Sequence, residues 1–405
     1  MSEVGESFKT RISAQWCTDL SKHWPDVPLP TVFFERRTSA EGRLIGRYAL
    51  TAADLIEQDW IALDEPVRLN THREAKPWGA EIWYSGIEKR GVCSVETSVG
   101  QVVSLPIFLA LSADEGQQIT TPSLLKILDP APERLRGNLY VEVHQRKWET
   151  YIVTSVSNHL YPDGCGEVWF GFSQQKLAAF AGDESVFRAE LAKLVARYEV
   201  LRRCLDNERP LEDVLLSGLS PQDDLPHHAD LLWKEIGSFF RLKKVRVGDV
   251  ICVPPFIPHS LQPGVRVVEF QTPTYERLIL AFNQKVLTQK HWDTVRAIEL
   301  ARFNQQDEQT IAGPASIWQS IVDFPEFQVH RCTVEPQTVA EIPNSKRHAH
   351  SMLFVISGEI EINSRIAAKS VSLSAESAAL LPFVPGLPGP SIRCKSAKPA
   401  IVLFV

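Results

Sequence analysis

Two distant stretches of the chain carry side chains that could hold a divalent cation. In NLYVEVHQRKWETYIVTSV, Glu142 and His144 stand two apart in a run that reads as a strand. Their side chains therefore leave the same face and can converge on one point. Lys147 and Glu149 repeat the spacing a few residues later. If a short turn around Gln145 and Arg146 joins two neighbouring strands, then Glu142, His144 and Glu149 line one cavity. Far along the chain, VGDVICVPPFIPHSLQPG places His259 just after a Pro-rich bend. Two imidazoles and two carboxylates make a borderline-hard donor set. It suits Zn, Mn, Fe or Co and leaves coordination positions for water or a hydroxyl group. Taken singly, the acids also read as solvated strand residues and His144 as a hydrogen-bonded core histidine.

The surrounding texture says what must position these groups. Residues 1–69 mix short apolar stretches with Pro and charge and form an N-terminal extension without a strong period. From Ala75 onward, β-branched and aromatic runs alternate with Gly and Pro, the pattern of an antiparallel barrel or sandwich. The expected catalytic barrel takes residues 70–172 and 243–285. Between them, 173–242 shifts to a period near 3.6, as in ESVFRAELAKLVARYEVLRRCL, and reads as an inserted helical region. A helical connector over 286–316, with a helix from Gln289 to Gln305, leads to a final all-β unit over 317–405.

Composition narrows the partners. At 405 residues the chain exceeds one ordinary core, and two or three packed units are expected. A net charge of −6 without a basic block offers no footprint for nucleic acid. The first twenty residues lack a secretory pattern and no apolar run is long enough to span a bilayer, which points to the cytoplasm and away from a membrane. The seven cysteines are odd in number, scattered and without a C-x-x-C pair, so free thiols are expected; Cys252, close to His259 in sequence, reads as a small buried hydrophobe.

In the last unit, RHAHSMLFVISGEIEI followed by VSLSAESAALLPFVPGLPGP resembles a cupin half-barrel. His348 and His350 have the spacing of a cupin metal pair, but Leu353 and Phe354 stand where an acid is expected and the Pro382 to Pro390 stretch adds no histidine. A surface or structural role is the expectation for that pair.

In order and local wording, residues 70–300 resemble the type I mannose-6-phosphate isomerases of the cupin superfamily. The series runs Lys76-Pro77-Trp78-Gly79, Leu124-Leu125-Lys126-Ile127-Leu128, Glu142-Val143-His144 and Lys147-Trp148-Glu149. It continues with Gly171-Phe172-Ser173, Pro255-Phe256-Ile257-Pro258-His259, Val268-Glu269-Phe270, Arg277 and Thr288-Gln289-Lys290-His291-Trp292-Asp293. No element is specific alone, but their order over this span is.

The resemblance implies a mainly β fold of cupin-type jelly-roll barrels with an inserted α-helical region. It implies a divalent metal, most simply Zn with Mn, Co or Fe as alternatives, on Glu142, His144, Glu149 and His259. It also implies active-site roles for Lys126, Lys147, Glu269 and Arg277, with Trp78 as a surface for a sugar ring. The expected reaction is aldose–ketose isomerisation of mannose 6-phosphate or a related sugar through an enediol, with Glu269 as a candidate base.

Four features depart from the family pattern, one being that roughly 70 N-terminal residues have no counterpart in it. Glu142 replaces a Gln and adds negative charge to the site, the stretch between His144 and Lys147 is shorter, and the interval from Glu269 to Arg277 is compressed. A cupin oxygenase or epimerase using His144, His259 and one Glu, and a non-catalytic sugar-binding cupin, are the competing expectations.

Overall fold

The computed structural model describes residues 14–113, 118–287, 289–303, 317–343, 350–364, 370–382 and 389–405. His348 and Thr288, both singled out in the sequence, lie outside the described residues. The fold is mainly β, built as jelly rolls with a helical insertion. The chain divides into two compact units, one drawn from 1–72, 84–123 and 311–405 and the other from 73–83 and 124–310.

The second unit carries the proposed ligands. One of its sheets has six strands in the order Val250–Val253, Glu149–Val156, Val265–Gln271, Leu124–Pro130, Gly79–Trp83 and His72–Lys76. The other has five: Phe240–Val245, Gly166–Phe172, His259–Leu261, Val141–Val143 and Leu278–Ala281. From Val250–Val253 to Gly79–Trp83 in the first sheet, and throughout the second, neighbouring strands are antiparallel, and the β-branched and aromatic content of these runs suits a pleated, buried surface. Alternation then sorts the side chains. Leu128, Tyr151, Val153, Val253 and Val267 of the six-stranded sheet share a buried core with Val168, Phe170, Leu261 and Ile279 of the five-stranded sheet.

The other face of the five-stranded sheet is covered by helices. Val141, Val143, Phe172, Phe240 and Leu280 pack with Phe187, Leu191, Val195 and Tyr198 of helix Glu184–Leu205 and with Leu232, Trp233 and Ile236 of helix Leu225–Gly237. The long helix presents apolar residues at spacings of three and four along this face. Its start is capped by the Asp183 carboxylate, which accepts from the Ser185 and Val186 N–H groups. Because Val141 and Val143 face the helices, Glu142 between them must face the barrel interior.

The connector helix is shorter than its sequence suggests, Thr294–Leu300. Asp293 ties the preceding chain to the sheet: its N–H donates to the Ile279 carbonyl at 2.7 Å, and its carboxylate accepts from the Ile279 N–H at 3.0 Å.

In the first unit, Ala14–Asp19, Thr31–Thr38, Leu44–Ala49 and Ile61–Ala62 form a four-stranded sheet. The final all-β segment forms a jelly roll whose larger sheet also takes in Val67–Asn70, Ser94–Glu96 and Val102–Ser104. Val67–Asn70 pairs with Ala378–Pro382, more than 300 residues later in the sequence. The sequence reading ran the first barrel unbroken from 70 to 172; the structure groups 84–123 with the other unit. Strand texture reports that a segment is β, and says nothing of which distant strand accepts its hydrogen bonds.

Candidate metal centre

The four expected ligands come together from three separate strands and one loop. Glu142 and His259 are direct cross-strand partners on the five-stranded sheet. Glu149 opens the strand Glu149–Val156 of the opposite sheet, and His144 stands just beyond Val141–Val143. One donor atom from each lies within 4.8 Å of every other. Glu149 Oε1 is 3.3 Å from His144 Nε2, and Glu149 Oε2 is 3.2 Å from His259 Nε2. Glu142 Oε1 is 4.0 and 3.9 Å from the same two nitrogens. Ligand bonds of about 2.0–2.2 Å place donor atoms roughly 3–4.4 Å apart around one ion, so the cluster is close to the size a cation would impose.

The hydrogen-bond chemistry of the histidines favours a cation between them. The His259 Nδ1 contacts the Ile257 carbonyl oxygen at 2.9 Å, and since a carbonyl can only accept, Nδ1 carries the proton. A neutral ring then presents a bare Nε2 lone pair to a carboxylate oxygen, which leaves two acceptors facing each other. Either a second proton or a metal ion resolves that contact. His144, 1% exposed, has no hydrogen-bond partner on either ring nitrogen among the described residues, although its Nε2 faces both carboxylates. A buried imidazole without a partner is costly in an apolar interior and unremarkable as a metal ligand.

Electrostatics reflect the same crowding. Burial lowers the pKa of His144, with Lys147 adding to the effect and Glu149 opposing it. For His259, burial is outweighed by the hydrogen bond and charge of Glu149, and its pKa lies above the ordinary imidazole value. Burial also works against ionising Glu149, but Lys147, His144 and His259 hold its carboxyl well below the usual range. The Lys147 Nζ is 2.5 Å from Glu149 Oε1.

A second buried pair adjoins the cluster. Lys126 and Glu269 are register partners on neighbouring strands, with Nζ and Oε2 3.1 Å apart. Next across the sheet, Glu269 is opposite Tyr151. Burial, reinforced by the charge of Glu149, pushes Glu269 well above the usual carboxyl range against the pull of Lys126. Burial disfavours charge on Lys126, but Glu269, Glu81 and Glu149 outweigh it and keep the ammonium protonated. Arg277 lies with Nε 3.8 Å from Glu142 Oε2 and its guanidinium over the Tyr140 ring at 4.3 Å.

Trp78 corrects the sequence expectation. It is 1% exposed and packs in the apolar core with Leu128, Leu139 and Tyr140, so its role here is packing and no face is open to a sugar ring. Cys252 alternates with Val253 and leaves the sheet on the face away from Glu149; burial pushes its thiol up to about 11.

Three residues were given no individual role in the sequence reading. Tyr151, two from Glu149 and on the same face, donates its hydroxyl to Glu149 Oε2 at 3.0 Å. Phe256 adopts φ 72°, in the left-handed region, with its N–H donating to the His144 carbonyl at 2.7 Å. Glu276, beside Arg277, accepts from the backbone between His144 and Trp148. Period-2 spacing could have found Tyr151; the other two depend on contacts between distant segments.

Comparison with solved structures bears on most of the chain. The mannose 6-phosphate isomerase from Bacillus subtilis superposes with a TM-score of 0.54 at 15% identity, covering 84% of this chain and 99% of that one. The chain has the mannose-6-phosphate isomerase fold. A variant of the phosphomannose isomerase from Salmonella typhimurium gives a TM-score of 0.53 at 14% identity over 83% and 98% of the two chains. A zinc-bound mannose 6-phosphate isomerase gives 0.53 at 13% identity over 84% and 99%. No protein-family model and no curated protein matches the sequence. At these identities the likeness to the mannose-6-phosphate isomerases establishes the fold, and the chemistry has to be argued from the side chains.

Proposed function

We propose that the chain is a metal-dependent isomerase interconverting mannose 6-phosphate, or a closely related sugar, with its ketose. The observation that carries this reading is the convergence of two imidazoles and two carboxylates within 4.8 Å inside the barrel, with His259 Nε2 3.2 Å from a Glu149 carboxylate oxygen. Glu142, His144, Glu149 and His259 would hold the ion, with zinc the simplest fit to two nitrogen and two oxygen donors. When bound, it supplies a Lewis acid that polarises the sugar carbonyl and steadies negative charge on the neighbouring oxygens.

The remaining steps belong to the chain. Glu269 takes the proton from C2 of the aldose, the C–H electron pair forms the C1–C2 double bond, and O1 gains a proton. Return of the proton from Glu269 to C1, with loss of the O2 proton, gives the ketose. A buried carboxyl whose affinity for protons is raised well above the ordinary carboxyl value suits a group that must both accept and return one. Lys126 and Lys147, paired with Glu269 and Glu149, would hold hydroxyls and pass the oxygen-bound protons. Arg277 offers a permanent cation to a phosphate or to the enediol oxygens. All seven cysteines are free, which fits a reducing compartment such as the cytoplasm. Among the described residues no helix is long and apolar enough to cross a membrane.

The test is a coupled assay of chelated protein reloaded with Zn, Mn or Co, offered mannose 6-phosphate and unphosphorylated mannose. Ketose should form only after reloading. Glu149→Ala should lose metal and at least about a thousandfold in rate while keeping its circular dichroism. Metal uptake with sugar binding but no turnover would instead indicate a binding cupin, and oxygen consumption with Fe(II) an oxygenase.

A further inference from the structure

The loop that separates His144 from Glu149 is held from outside by one carboxylate. Glu276 accepts hydrogen bonds from three consecutive backbone N–H groups: Gln145 to Oε1 at 2.7 Å, and Arg146 and Lys147 to Oε2 at 2.9 and 3.2 Å. The next N–H, that of Trp148, donates to the Thr272 hydroxyl at 3.2 Å, and the Thr272 N–H returns a bond to the Trp148 carbonyl at 3.0 Å. Every N–H from 145 to 148 is thus taken by the segment 272–276. None is spent on a regular turn within the loop. An ionised carboxylate meeting successive amides forms stronger, more directional bonds than neutral partners would.

What that grip fixes is the span between two proposed ligands. His144 precedes the first bonded amide and Glu149 lies two residues beyond the last. Glu276 is also the immediate neighbour of Arg277, whose guanidinium faces Glu142. One side chain therefore couples the loop to the strand end that carries the cation nearest a third ligand. Resting on the metal reading above, we infer that Glu276 is a positioning residue of the metal centre: through the loop backbone it sets the separation of the His144 and Glu149 donors. A carboxylate that only stabilised the fold would act on the apo and loaded protein alike; a positioning carboxylate acts on the affinity and geometry of the ion.

The experiment uses the full chain stripped of metal, titrated with Co(II), with visible absorption as the report on ligand geometry and thermal unfolding of the apo form as the control. Glu276→Ala should weaken Co(II) binding by roughly tenfold to a hundredfold and shift the cobalt bands, with the apo midpoint within a few degrees of wild type. Glu276→Gln, which keeps one acceptor oxygen, should fall between the two, and it decides the matter should the alanine variant fail to fold. Wild-type affinity and bands in these variants would overturn the inference and leave the metal reading intact. If wild type itself takes up no Co(II) and is indistinguishable from His144→Ala, the metal reading falls and this inference with it.

Discussion

Residue by residue, the site is defined by charges that solvent does not relieve. Lys126 and Glu269 illustrate the consequence, since they face each other across adjacent strands at 3.1 Å with both side chains almost fully enclosed. Such a pair contributes little net stability, yet stranding one member is expensive because the survivor stays in a low-dielectric interior. Lys126→Met should therefore destabilise the apo protein by about 3 kcal/mol, whereas the double variant Lys126→Met/Glu269→Leu should recover most of that loss. Urea unfolding of the four members of this cycle measures it; a double variant no more stable than the single one would show that packing, and not charge, dominates here.

Among the elements, the strand Gly79–Trp83 shows how a sequence motif can be structural. Gly79 has φ +146° and pairs with Pro130 at the sheet end; a Cβ there would lie 2.2 Å from the Asp129 carbonyl oxygen and 2.9 Å from the Ala131 nitrogen. Both obstacles are backbone, so neither can swing aside. Gly79→Ala should cost on the order of 2–4 kcal/mol, seen as a lower thermal midpoint with loss of metal affinity only as far as the sheet is displaced. An unchanged midpoint would mean that this backbone relaxes freely. Trp78, its neighbour, belongs to the same lesson: the motif anchors the sheet and the tryptophan fills the core. The helices behind the five-stranded sheet act similarly, turning Val141 and Val143 outward so that Glu142 points in.

At the scale of the whole molecule, the first unit contributes a titration of its own. His350 is 8% exposed, its Nδ1 has no hydrogen-bond partner among the described residues, and burial pushes its pKa down to about 4. A base whose folded pKa is depressed binds its proton more readily when unfolded. Stability from this group is therefore complete above the unfolded histidine value near 6.5 and is lost as the pH falls from there toward 4. The full displacement corresponds to roughly 3 kcal/mol. Unfolding free energies of wild type and His350→Leu at pH 7 and pH 4.5 should converge or cross as the pH is lowered; parallel curves would place the imidazole in solvent.

Much of this protein is legible without coordinates. Alternating β-branched runs, a single 3.6-period insert and the two-residue spacing of Glu142 and His144 follow from local periodicity, which any chain of this composition must obey. The mainly β architecture comes from that information, while the four donors were singled out by residue type and spacing together with the resemblance to the type I mannose-6-phosphate isomerases. Pairing across long separations does not. Only the tertiary structure could show that residues 67–70 join a sheet completed after residue 378, or that Trp78 turns into the core. Glu276's hold on the loop between His144 and Glu149 is of the same kind. Hydrogen-bond acceptors and burial partners are chosen by proximity in space, and no local pattern encodes which distant backbone will arrive there.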